Sequence, residues 1–146
     1  MDSIKSWIQT QIPATRNFEF EVQTLKPSFI QLRIPLASHL NHKGTAFGGS
    51  LYNSAVIACY LLVHSELSSR GESSDSFVIA DGSMKYLKPV TADFEVKVQW
   101  SNVELNNMLT SLHNKQKARW ILQAQIECQN QICAEFQGRF VLQTKV

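Results

Sequence analysis

Apolar residues recur along this chain with two different periods. Residues 3–12 set Ile4, Trp7, Ile8 and Gln11 on one helical stripe, with Ser3 placed to cap it and Pro13 to end it. From Phe18 the period is two. FEFEV alternates Phe18, Phe20 and Val22 with glutamates, and FIQLRIPL sets Ile30, Leu32, Ile34 and Leu36 on one face. Lys26–Ser28 is the turn between these two strands. Asn41–Leu67 breaks the pattern, because a polar, glycine-rich turn leads into an apolar helix with no charge before Glu66. Ser68–Ser76 has the composition of a loop. Four more strands follow: SFVIADGSMKYLKP, bent or bulged near Gly82; DFEVKVQW; KARWILQAQIEC; and ICAEFQGRFVL. They aim Phe94, Val96, Val98 and Trp100, then Trp120 to Cys128, then Ile132, Ala134, Phe136, Phe140 and Leu142 at a core. The Asn-rich stretch between Trp100 and Lys117 is long enough for a flap or a short helix.

The order is helix, two strands, long helix, four strands. Clean alternation suits an antiparallel sheet with one covered face. A helix that is apolar almost all round must be wrapped on several sides. A curved antiparallel sheet around one buried central helix meets both demands, so the expected class is α+β.

Composition narrows the class further. At 146 residues the chain suits one domain, residues 1–146. Its 44% apolar and 18% charged residues exclude disorder. A net charge of +2 favours no polyanionic partner, and Lys115, Lys117 and Arg119 alternate with Gln and Ala like a solvated strand face. Nucleic acid is not an expected partner. The three cysteines are odd in number and MDSIKSWIQTQIP lacks a signal-peptide core, so reduced thiols and a cytoplasmic location are expected. Cys128 and Cys133 flank the turn QNQI with no second pair of ligands, so no metal is expected. Gly44–Val63 approaches a membrane span in length, but Gly48, Gly49, Ser50, Asn53 and Ser54 make a core helix the better reading.

The element order, NHKGTAFGGSLY and IADGSMKYLKPVTADFEVKVQW together resemble the hotdog-fold thioesterases over nearly the whole chain. The likeness is greatest to a bacterial branch found alone or fused behind an acetyltransferase domain. The resemblance implies a sheet of about six strands around a long central helix. It also implies hydrolysis of an acyl thioester of coenzyme A or acyl carrier protein, with coenzyme A present only as part of the substrate. A homodimer or a dimer of dimers is expected, since a single sheet leaves its edge strands unpaired.

In this light Gly48 and Gly49 have a chemical use. The first turn of a helix carries unpaired N–H groups and partial positive charge, which suit the oxyanion of a thioester under attack, and glycine lets the ligand approach. Equally, the two glycines allow the helix entry to pack closely on a strand. Asn41 either positions the attacking water or makes an Asx turn in its loop. His42 is a candidate general base by its ordinary pKa. Phe47, Gly49, Ser50 and Tyr86 are expected around the substrate by the resemblance.

Departures from related families set the remaining question. Phenylacetyl-CoA-type thioesterases read His-Gly-Gly where this chain has Phe47-Gly48-Gly49, and their helix acid falls here at Val56, beside Asn53 and Ser54. Between Glu21 and Glu66 there is no acid. Asp81 is the candidate replacement: it follows an apolar strand segment, where a carboxylate needs a partner or a function. Partial burial across a dimer interface would suit it to act as base or to hold His42. Alternatively it accepts loop hydrogen bonds or pairs with Lys85 or Lys88. A non-catalytic acyl-CoA-binding or regulatory protein is the rival class, and a dehydratase or hydratase is a third.

Overall fold

The two strands that alternate most cleanly form the longest hairpin. The computed structural model describes residues 2–74 and 76–144; Asp75 of the expected loop and the ends of the expected 1–146 unit lie outside the described residues. The elements are α1 (Asp2–Gln11), β1 (Glu21–Lys26), β2 (Phe29–Ile34), α2 (Gly48–Ser68), β3 (Val78–Tyr86), β4 (Phe94–Gln99), α3 (Asn102–Lys115), β5 (Lys117–Cys128) and β6 (Gln131–Gln143). One six-stranded sheet runs in the order β1-β2-β4-β5-β6-β3, each neighbouring pair antiparallel. The sheet wraps α2, whose Leu51, Ala55, Ile57, Ala58, Leu61 and Leu62 are buried. No helix among the described residues is long and apolar enough to cross a membrane.

Several boundaries differ from expectation for local reasons. Ser3 lies inside α1 rather than at its cap. Pairing of β1 begins only at Glu21, because the chain before it is held by α1: Lys5 Nζ donates to the Phe20 carbonyl at 2.7 Å. The Asn-rich connection is a full helix, α3. Ser101 caps it, its hydroxyl accepting from the Glu104 N–H at 3.1 Å while the Glu104 carboxylate accepts from that hydroxyl. Leu105, Met108 and Leu112 bury its inner face. Gln129 and Asn130, both at positive φ, make the two-residue turn of the β5–β6 hairpin. A bulge near Ile126–Glu127 then shifts the phase of β6, so Cys133 is buried and Ile132, expected inside, is 39% exposed.

The far end of α2 is fastened to the β1–β2 hairpin. Glu66 is buried, and its Oε1 accepts from the backbone N–H of Ser28 in the turn. Its Oε2 takes the Arg70 guanidinium at 2.6 Å. Glu66 is thus a structural acid that satisfies a turn amide. Glu66→Ala strands that amide and should lower stability by about 1.5–3 kcal/mol, whereas Arg70→Ala, truncating a half-exposed partner, should cost no more than ~1 kcal/mol. Urea denaturation of the two variants checks the ranking.

Candidate active site

The entry to α2 is built from residues that precede it. Asn41 organises the loop with its whole side chain. Its Oδ1 accepts from the N–H groups of Lys43 and Thr45, at 2.8 and 3.1 Å, while its Nδ2 donates to Thr45 Oγ1 and the Ala46 carbonyl, at 2.8 and 3.4 Å. Its backbone N–H donates to the Thr45 carbonyl, and an isolated bridge joins Leu40 to Ala46. This is the Asx-turn role; the amide has no capacity left to hold a water. Below the loop, His39 is buried against the Phe18 ring. Its Nε2 meets the Glu19 carbonyl at 3.0 Å and must donate there. The tautomer so fixed leaves Nδ1 to accept from the Ser50 hydroxyl at 3.1 Å. The His39 carbonyl also accepts from the Phe47 N–H.

At the helix mouth Phe47 is the cap residue, with no side chain capping the first turn. Its carbonyl receives the N–H groups of Ser50 and Leu51. Among the described residues nothing accepts from the N–H of Gly48 or Gly49. Tyr86, on β3, packs its ring 3.4 Å from where a Cβ on Gly48 would stand, and its hydroxyl donates to the Gly48 carbonyl at 2.9 Å. Burial, and secondarily the Tyr52 phenol, pushes the Tyr86 pKa up, so it stays a neutral donor. The Phe47 ring, 58% exposed, lies over Gly49. Beside Gly48 opens a recess of about 320 Å³, whose walls include Thr45, Ala46, Leu51, Tyr86 and Lys88. Gly48 lines this recess, and free donors at a helix N-terminus are groups that can hold a carbonyl oxygen as it gains charge.

The expected site residues separate into two groups. Gly48, Gly49, Phe47 and Tyr86 meet at the mouth, where the Tyr86 ring packs beside Gly48 and the Phe47 ring over Gly49. Ser50, Asn41, His42 and Asp81 do not join them. Ser50 is turned to His39, and His42 sits exposed in the loop turn. Asp81 is the clearest departure. Simple alternation from Ile79 would aim it at α2, but a bulge between Ile79 and Asp81 adds a residue and turns it to the outer face. There it faces Arg139 at 3.4 Å, with a side chain 64% exposed, instead of being partly buried or paired with Lys85 or Lys88. Gly82 takes the inward place, where a Cβ would overlap the Tyr52 hydroxyl.

The sequence reading assigned nothing to Tyr52 or to the His39–Ser50 pair. Tyr52 lies four residues after Gly48, one turn along the helix, and that spacing was the available signal. For His39 there was none, since its partners Glu19 and Ser50 are distant in sequence. The position of the helix acid in related families, Val56, lies on a partly exposed stripe with Gly49, Tyr52, Asn53 and Tyr60, near the free edge of β3. No cluster of three or more metal-ligating side chains occurs among the described residues.

A sheet wrapped around a long helix, with a glycine-rich mouth, defines the hotdog-fold thioesterase class, and solved structures agree. A protein of unknown function from Chlorobaculum tepidum TLS is 27% identical, with a TM-score of 0.89 over 99% of this chain and 94% of that one. A "putative thioesterase" from Shewanella oneidensis is 26% identical, with a TM-score of 0.87 over 98% and 96%. A Pseudomonas aeruginosa protein described as a probable thioesterase shares the fold at 18% identity, with a TM-score of 0.84 over 99% and 95%. No functionally curated protein matches the chain. The chain belongs to the family described as "Putative thioesterase (yiiD_Cterm)", whose model matches residues 1–144.

The loop assignment is open to a direct check. Asn41→Ala removes four side-chain hydrogen bonds and should lower stability by about 2–4 kcal/mol, while Asp81→Asn should change it by less than ~1 kcal/mol. Denaturant midpoints that moved equally would contradict the placement of both residues.

Proposed function

We propose that the protein is a hydrolase of acyl thioesters carried by coenzyme A or acyl carrier protein, acting at the mouth of α2. The observation that carries this reading is the pair of unpartnered N–H groups on Gly48 and Gly49 beside an open recess. Water adds to the thioester carbonyl, the oxygen takes negative charge against these donors, and collapse breaks the C–S bond to give a carboxylic acid and a thiol. The acyl chain enters along α2. Tyr86, through the Gly48 carbonyl, holds the donor peptide in place.

The working unit in this proposal is a homodimer, with a dimer of dimers as its extension. Support comes from the free edge of β3, which among the described residues pairs only with β6, and from the partly exposed stripe of α2 next to it. Phe47, Tyr86 and Leu87 add exposed apolar surface around the mouth of α2. The base that takes the water's proton is then supplied at the subunit boundary, and His42, exposed in its loop, is the proposed group. The buried, unpaired cysteines suit a reducing compartment, and we place the protein in the bacterial cytoplasm.

One observation favours a second reading, a non-catalytic acyl-CoA-binding protein: among the described residues no carboxylate or imidazole lines the recess. Thiol release from a panel of acyl-CoAs, measured beside calorimetric binding, separates the two. Binding without turnover across the panel would establish the sensor.

Gly48→Pro is a clean probe of the donor. Proline is favoured at the first helical position, and Phe47, at φ −64° and ψ 133°, already has a backbone that tolerates a following proline. Loss of the N–H should therefore lower turnover on the order of 10²–10³-fold in a folded protein. Full activity in that variant would remove Gly48 from the mechanism. Sedimentation at micromolar concentration should show a dimer or larger; a monomer would refute the shared site.

A further inference from the structure

We infer that the acyl site at the mouth of α2 is short, closed after one helical turn by Leu51 on one side and by Tyr52 wedged against Gly82 on the other. The inference rests on the thioesterase reading above and names the class of acyl group that the site takes.

From Gly48 an acyl chain has two ways to go. One leads into the recess beside Tyr86. That recess ends on Leu51, Ala46 and Val90, all buried, with the Ala46 N–H donating to the Val90 carbonyl at 2.9 Å. The floor is a packed, hydrogen-bonded joint between the loop before α2 and the segment after β3, so nothing deeper opens from it.

The other way runs along α2 toward β3, over the stripe Gly49, Tyr52, Asn53, Val56 and Tyr60. Here Tyr52 crosses from helix to strand. Its hydroxyl lies so close to the Gly82 backbone that no Cβ fits between them, and its ring meets Phe136 edge-on at 5.2 Å. Farther along, Tyr60 makes a second crossing, accepting from the Ile79 N–H at 3.1 Å and packing on Phe77. Gly82 is what lets Tyr52 seat fully; any larger residue there would hold the phenol off the strand. Gly48 and Tyr52 are one turn apart, ~6 Å along the axis. A chain whose carbonyl sits at Gly48 therefore has room for a few carbons before it meets the Tyr52 ring. Long fatty chains are excluded.

The test uses acyl-CoAs from acetyl to dodecanoyl for hydrolysis, with the matching S-(2-oxoalkyl)-CoA ketones for binding. The ketones keep the carbonyl but have no scissile bond. In an open apolar groove each added methylene raises affinity roughly fourfold, so affinity would climb steadily with length. The closed site predicts instead a plateau or a fall beyond about the butyryl length, as expected for ~6 Å of room. Tyr52→Ala should raise the ratio of octanoyl to butyryl binding by ~16-fold if two of the four extra methylenes become buried, and by up to ~250-fold if all four do. Should that variant fail to fold, Tyr52→Leu, shorter and still apolar, should shift the ratio in the same direction. Affinity that rises through the dodecyl ketone in the wild-type protein overturns the inference and leaves the hydrolase reading intact. An unchanged ratio in a folded Tyr52 variant also overturns it. Short-ketone preference without any thiol release removes the hydrolase reading and keeps the inference; no binding of any ketone removes both.

Discussion

A helix that is apolar on nearly every side has to be enclosed, and one six-stranded sheet cannot enclose it completely. The rest of the molecule follows from that constraint. The curved sheet packs on α2 through β2, β4, β5 and β6, α1 packs on α2 and β1, and α3 packs on β5. What is left open is the stripe Gly49, Tyr52, Asn53, Val56 and Tyr60, next to the strand edge that has no partner. The helix mouth, the recess and the uncovered stripe therefore all fall on one side of the molecule.

The opposite side is fastened at both ends. Near the mouth, His39 joins the Glu19 carbonyl to the Ser50 hydroxyl. At the far end, Glu66 joins the Ser28 amide to Arg70. One tie runs to the residues before β1 and the other to the turn after it. On the β3 side the links are phenolic: Tyr86 to the Gly48 carbonyl, Tyr60 to the Ile79 amide, and Tyr52 against Gly82. Ion pairing and buried imidazole hold the helix on one flank, and phenolic side chains hold it on the other.

What was legible in the sequence depended on whether the physics was local. Alternation in DFEVKVQW and KARWILQAQIEC gave the right faces, because those strands run without interruption where they were read. A bend was legible near Gly82, but an alternating pattern does not mark which residue is extra: Ala80 in β3 turns Asp81 outward, and Cys133 in β6 leaves Ile132, just before it, outside while Ala134 to Leu142 keep the expected face. Gly48 and Gly49 were legible as the glycine pair that opens the central helix. Tyr52 was not, since its reason for being there, Gly82, lies thirty residues away by number and is met only in the folded sheet. Asn41 could be read two ways, and only the hydrogen-bond geometry of its loop decides between them.

The bulge at Ala80 has an implication for how such a chain diversifies. Substitution at Asp81 can change the charge on the outer face, but it cannot bring a carboxylate to the helix. Nor does loss of Ala80: with the extra residue gone, Asp81 follows Ile79 directly and still alternates outward, which keeps Gly82 inward against Tyr52. At Gly82, the inward place beside Tyr52, the Cβ of an acid would overlap the Tyr52 hydroxyl, so exchanging this aromatic barrier for an ionisable group takes changes at two positions thirty residues apart.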